Sequence, residues 1–61
     1  MKFTMSFNMD NAAFENYPEL ETARILEKTA IKIQKGVVFG DVIDTNGNII
    51  GEWAFSEDPG E

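Results

Sequence analysis

The sequence predicts an α+β fold of order β-α-β-β, a three-stranded antiparallel sheet with one helix packed on one face. Three stretches carry that prediction. Residues 2–9 alternate strictly between apolar and polar, and residues 18–35 place apolar side chains at steps of three and four. Two runs of β-branched and aromatic residues, 37–43 and 49–55, flank Asp44-Thr45-Asn46-Gly47-Asn48. Alternation is the period of a half-buried strand, and the three-four step is that of an amphipathic helix. Apolar runs around an Asn-Gly are the strongest short-range hairpin signal.

The first strand presents Phe3, Met5, Phe7 and Met9 on one face and Lys2, Thr4, Ser6 and Asn8 on the other. With no His or Cys in the chain, the methionines read as core packing rather than a soft metal site. Asp10-Asn11 ends the strand, and Asp10 is placed to cap a short helical turn through Ala12-Ala13-Phe14. Pro18 suits the first position of a longer helix, Glu19 and Glu21 suit its positive end, and Gly36 is a natural stop. Leu20, Ala23, Leu26, Ala30 and Ile33 form its expected apolar face. Arg24, Lys28, Lys32 and Lys35 form a basic stripe on the other side, with Glu21 in reach of Arg24. A solvated face with cations near the helix's negative end accounts for the stripe, and an acidic partner or phosphate-bearing ligand is the functional alternative.

The hairpin has two registers. A two-residue loop puts Asn46 and Gly47 at the centre of a type I′ turn. A three-residue loop starts a type I turn at Asp44 and places Gly47 in the left-handed conformation of a G1 bulge. The second is favoured, because it gathers Val37, Phe39, Ile43, Ile49, Trp53 and Phe55 on one side, with Asp41 opposite Gly51. A slip of one residue would split that set across the sheet. The third strand is expected in the middle, antiparallel to both neighbours.

A chain of 61 residues makes one small domain, placed at 1–56, with 57–61 a flexible acidic tail. Such a chain buries only about 60% of the surface its unfolded form exposes, so a tight core or association must compensate for the missing disulfide or zinc. The net charge of −6 is uneven: residues 36–61 carry six carboxylates and no basic residue, and four of the five basic residues lie within 24–35. That balance argues against direct nucleic-acid binding and against an acidic membrane surface. No secretory signal pattern and no membrane-spanning run is visible, so a cytoplasmic location is expected.

Catalysis is poorly supported, because the commonest general base and the most reactive nucleophile are both missing. Asp41, Asp44 and Glu52 lie near one another on the hairpin. Asp41 is expected on the helix-facing side, whereas Asp44 and Glu52 point outward, so they do not converge on a substrate. Asp44-Thr45-Asn46-Gly47-Asn48-Ile49 resembles the middle of an EF-hand loop. Aligning Gly47 with the sixth position, however, puts Val42 at the first ligand position and Trp53 where a carboxylate is required. No enzyme activity, cofactor or metal is expected.

The sheet's second face is more informative. In the favoured register Val42 lies opposite Ile50 and Val38 opposite Ala54, with Gly40 beside Glu52. One helix covers one side only, so a β-branched patch rimmed by carboxylates is left in water and reads as an interface. Val38, Asp41, Val42, Asp44, Ile50 and Glu52 are the expected partner-binding residues.

Met9-Asp10-Asn11-Ala12-Ala13-Phe14-Glu15, Ala23-Arg24-Ile25-Leu26, and Asp44-Thr45-Asn46-Gly47-Asn48 followed by Gly51 together resemble small proteins encoded by tailed bacteriophages and prophages. The likeness spans roughly residues 3 to 53, and its motifs are a cap, a helix face and a turn, so it carries over no catalytic residue. It implies a bacterial cytoplasm and a partner among host proteins. The leading expectation is an inhibitor that binds a nucleic-acid-handling defence component, anti-CRISPR-like or anti-restriction, through Asp41, Asp44, Glu52, Glu57 and Asp58. The alternative is a homo-oligomeric structural or accessory phage protein, a dimer with the Val42/Ile50 face as its seam. An accessory factor that touches nucleic acid through the Arg24–Lys35 stripe is a third reading.

Overall fold

The computed structural model describes residues 1–57; Asp58 and the rest of the expected acidic tail lie outside the described residues. Strand β1 (Lys2–Phe7) leads through a 3-10 turn (Ala12–Phe14) to helix α1 (Pro18–Gln34), and strands β2 (Phe39–Ile43) and β3 (Ile49–Ser56) follow. The sheet order is β1-β3-β2, so β3 is central and antiparallel to both neighbours, as the sequence predicts.

Local chemistry explains the boundaries. The 3-10 turn is capped by Asn11, not Asp10: the Asn11 side chain accepts from the Ala13 N–H at 3.0 Å, while the Asp10 N–H donates to the Asn8 side chain. Pro18 opens α1 with Glu19 and Glu21 in the first turn, where acidic side chains oppose the helix dipole. The helix closes in a Schellman motif, with the Gly36 N–H on the Ile33 carbonyl and the Val37 N–H on the Lys32 carbonyl. Val37 therefore belongs to the helix terminus and not to the strand.

The hairpin uses the three-residue loop. The Asp44 N–H donates to the Asn48 carbonyl and the Gly47 N–H to the Asp44 carbonyl, each at 3.0 Å, and Gly47 has φ +87°. Beyond the loop the ladder departs from the expected register. Ile43 pairs with Ile49, but Val42 pairs with Gly51, Asp41 with Glu52, Gly40 with Trp53 and Phe39 with Ala54. A β-bulge at Ile50 supplies the extra residue and turns β2 over relative to β3.

The reason is burial. The bulged register puts Val42 and Trp53 on the helix side, 2% and 1% exposed, and sends both Asp41 and Glu52 to solvent. The straight register would drive the Asp41 carboxylate under the helix, which costs far more than one unpaired ladder position. Gly51 fits this arrangement because β1 presses on it: a Cβ there would stand 2.1 Å from the Ser6 carbonyl oxygen.

The core consists of Phe14, Ile25, Val42 and Trp53, with Met5, Phe7, Ala13, Ile33, Ile50 and Phe55 packed around it. The helix lies on the sheet through Glu21, Ile25 and Thr29, one turn apart, rather than through the expected Leu20, Ala23, Leu26 and Ala30. Those four side chains are exposed, Leu20 at 62%. Of the expected apolar face, only Ile33 sits at the core's margin.

Candidate functional site

Two arrangements of polar side chains stand out, one buried and one on the surface. The buried one ties the hairpin loop to the rest of the chain. Asp44, 3% exposed, accepts from the backbone N–H groups of Asn46 and Asn48, both at 2.9 Å. Its Oδ2 accepts from Asn48 Nδ2 at 3.2 Å and from Asn11 Nδ2 at 2.6 Å. Glu21, 8% exposed, takes Arg24 Nε at 3.0 Å and Nη2 at 2.7 Å, and its Oε2 also accepts the Thr45 N–H at 2.9 Å. Arg24 Nη2 reaches on to the Ile43 carbonyl at 3.3 Å.

Both carboxyls are held below the usual carboxylate range. For Asp44 the Asn48 N–H contributes most, opposed by desolvation and reinforced by the Asn48 side chain, Asn46 and Asn11. For Glu21 the Arg24 hydrogen bond contributes most, again against desolvation, with Thr45 adding to it. Their lone pairs are directed at donors within the protein, an arrangement suited to fixing the loop.

The surface arrangement is the outer face of the sheet. Pairing across the three strands sets the side chains in rows: Phe39, Ala54 and Thr4; then Asp41, Glu52 and Ser6; then Ile43 and Ile49. Phe39 and Ile49 are 70% and 68% exposed, and Ile43 is exposed as well. Successive rows are about 7 Å apart along the strands. Asp41 and Glu52 are direct cross-strand partners, and like charges in that position repel. No described element lies over this face.

The expected partner-binding residues therefore separate. Asp41 and Glu52 stand together on the outer face, which reverses the expected inward orientation of Asp41. Val42 is not on that face: the bulge puts it in the core. Ile50 turns with it and packs against the core cluster, so a Val42/Ile50 seam does not exist on the surface. Asp44 points into the loop rather than outward, because four internal donors converge on it. Val38 is exposed beyond the start of β2 and hands its carbonyl to the Phe55 N–H. Glu57 is exposed at the end of the described chain.

The sequence predicts Phe39, Ile43 and Ile49 under the helix, whereas the structure puts all three on the outer face. The signal that finds them is Asp41: a carboxylate in the middle of an apolar strand marks the solvent side, and its alternate neighbours share that side. Among the described residues no helix is long and apolar enough to cross a membrane, and no three acidic side chains are grouped to hold a metal ion. No family model matches this chain, and neither does any curated protein or solved structure.

Proposed function

We propose that this is a binding protein that works by laying the outer face of its sheet against a cationic, partly apolar surface of another protein. The observation that supports it best is the row order on that face. Two facing carboxylates lie between large apolar side chains that nothing in the described chain covers. A basic group from a partner would relieve the Asp41–Glu52 repulsion while Phe39, Ile43 and Ile49 lose water. Nucleic-acid-binding proteins carry such cationic surfaces, so occupation of one would block its ligand. Together with the phage-like sequence motifs, this favours inhibition of a bacterial host protein, with defence nucleases as the narrower target class.

The test is affinity capture from a bacterial lysate, with wild type beside Asp41→Lys/Glu52→Lys and Phe39→Ser. The expected result is one captured nucleic-acid-handling protein, lost with either variant while circular dichroism is unchanged, and released from its nucleic acid by the wild-type chain. Capture that survives both variants, or no capture, overturns the reading.

A second reading, self-association, is favoured by one observation on the other side of the molecule. Leu20, Leu26 and Ile31 are exposed on the helix surface turned from the sheet, with Ala23 and Ala30 among them. Small side chains between larger ones allow two helices to approach closely. Sedimentation that gives a monomer at millimolar concentration removes this reading; a dimer that Leu26→Lys dissociates supports it.

A further inference from the structure

We infer that the free edge of β2, together with the basic flank of α1, is a docking groove for an acidic peptide bound in extended form as a fourth strand. The groove adjoins the outer face along β2 but does not depend on the role proposed for that face.

The inference starts from topology. In the order β1-β3-β2, β2 is an edge strand, so one of its sides has no ladder among the described residues. Antiparallel pairing alternates the direction of backbone groups. The Phe55 N–H donates to the Val38 carbonyl, which turns the Val38 groups toward β3 and, by alternation, those of Gly40 as well. The N–H and C=O groups of Phe39 and Asp41 are therefore directed away from the sheet. The Ile43 carbonyl follows the same alternation and already has an outside donor, Arg24 Nη2.

The helix supplies the other wall. An open groove of about 400 Å³ runs between α1 and β2, bordered by Arg24, Lys28, Thr29 and Lys32 on one side and by Asp41, Val42, Ile43 and Asp44 on the other. Arg24 is engaged with Glu21, and that is the one ion pair among the described residues. Lys28 and Lys32, one turn apart, line the groove with no ion-pair partner among the described residues.

These features select the occupant. The unpaired N–H and C=O groups of an edge call for another extended backbone, and strand addition draws its affinity from them. The two lysines call for carboxylates on the side chains that face the helix. The alternate side chains face the outer side, next to Phe39 and Asp41, where small polar or apolar groups fit and acidic ones do not. A peptide acidic at every second residue meets both demands. A uniformly acidic one would set like charge against Asp41.

The test uses a blocked, fluorescein-labelled decapeptide of alternating Glu and Thr. Its comparators are the Lys/Thr peptide and a Glu/Thr peptide with every backbone amide N-methylated. Anisotropy is expected to show binding of the first, at least tenfold weaker binding of the other two, and at least a tenfold loss for Lys28→Glu/Lys32→Glu. Amide chemical shifts should move at Phe39 and Asp41. Both lysines are exposed, and the N-methylated peptide tests strand pairing on the unaltered protein. No binding, equal binding of the N-methylated peptide, or indifference to the lysine reversal overturns the inference.

Discussion

Asp44 shows how much a single side chain can hold together. It closes its own turn through Asn46 and Asn48 and reaches across to Asn11, so one carboxylate couples the hairpin loop to the segment before the helix. Replacement by Asn would turn an NH2 toward the Asn11 and Asn48 donors or take an acceptor from the backbone. Asp44→Asn is expected to lower the melting temperature by roughly 5–15 °C in a domain this small. Because the folded Asp44 and Glu21 carboxyls lie below their ordinary values, the unfolded chain takes up these protons first as pH falls. Their stabilisation is complete above the ordinary carboxyl range, about pH 4–4.5, and is lost as pH drops through the depressed folded values. Melting temperature measured between pH 2 and 7 should therefore fall steeply below about pH 4 in wild type. The fall should be shallower in Asp44→Asn. That Asp44 suits the turn is legible in the sequence. That it is buried is not, since Asn11 stands 33 residues away and nothing local announces it.

At the level of elements, the kinds of structure and their order follow from periodicity, whereas the faces do not. Alternation identifies β2 and β3 and the loop chemistry identifies the turn, but one extra residue at Ile50 inverts which side of β2 is buried. Bulges have no obligatory residue, so the inversion is visible only when the charge of Asp41 is weighed against the apolar count. The packed face of the helix departs from the expected one for a related reason. Its stripe of leucines and alanines is the more hydrophobic, yet Glu21 and Thr29 flank Ile25 on the packed side, because Glu21 has a partner there in Thr45. Two expectations separate these faces. Ile25→Ala should cost about 2–5 kcal/mol and Leu26→Ala less than about 1 kcal/mol in urea unfolding. On the sheet, Glu52→Gln should raise the melting temperature by about 2–5 °C, as the cross-strand repulsion with Asp41 disappears. A fall would mean that the pair is stabilised in some other way.

As a whole the molecule has more apolar surface than its four-residue core needs, and its charge is segregated. Asp41 and Glu52 pair on the outer face of the sheet, and Arg24, Lys28 and Lys32 lie along one flank of the helix. The sequence reveals the segregation, since residues 36–61 carry six carboxylates and no basic residue. It does not reveal that the two charge regions meet along β2, which depends on the helix crossing beside that strand. With so small a core, Trp53→Ala removes the largest buried side chain at a cost of about 3–5 kcal/mol. That is comparable to the whole stability of a domain this size, and the variant should lose its cooperative thermal transition.

The Arg24 contact with the Ile43 carbonyl has a consequence for solubility. An open strand edge is a template on which identical chains can stack without limit. Here a guanidinium, anchored from the helix by Glu21, occupies the last acceptor before the loop and puts a charged stopper in the path of an incoming strand. What remains of this edge for pairing is the short stretch around Phe39 and Asp41.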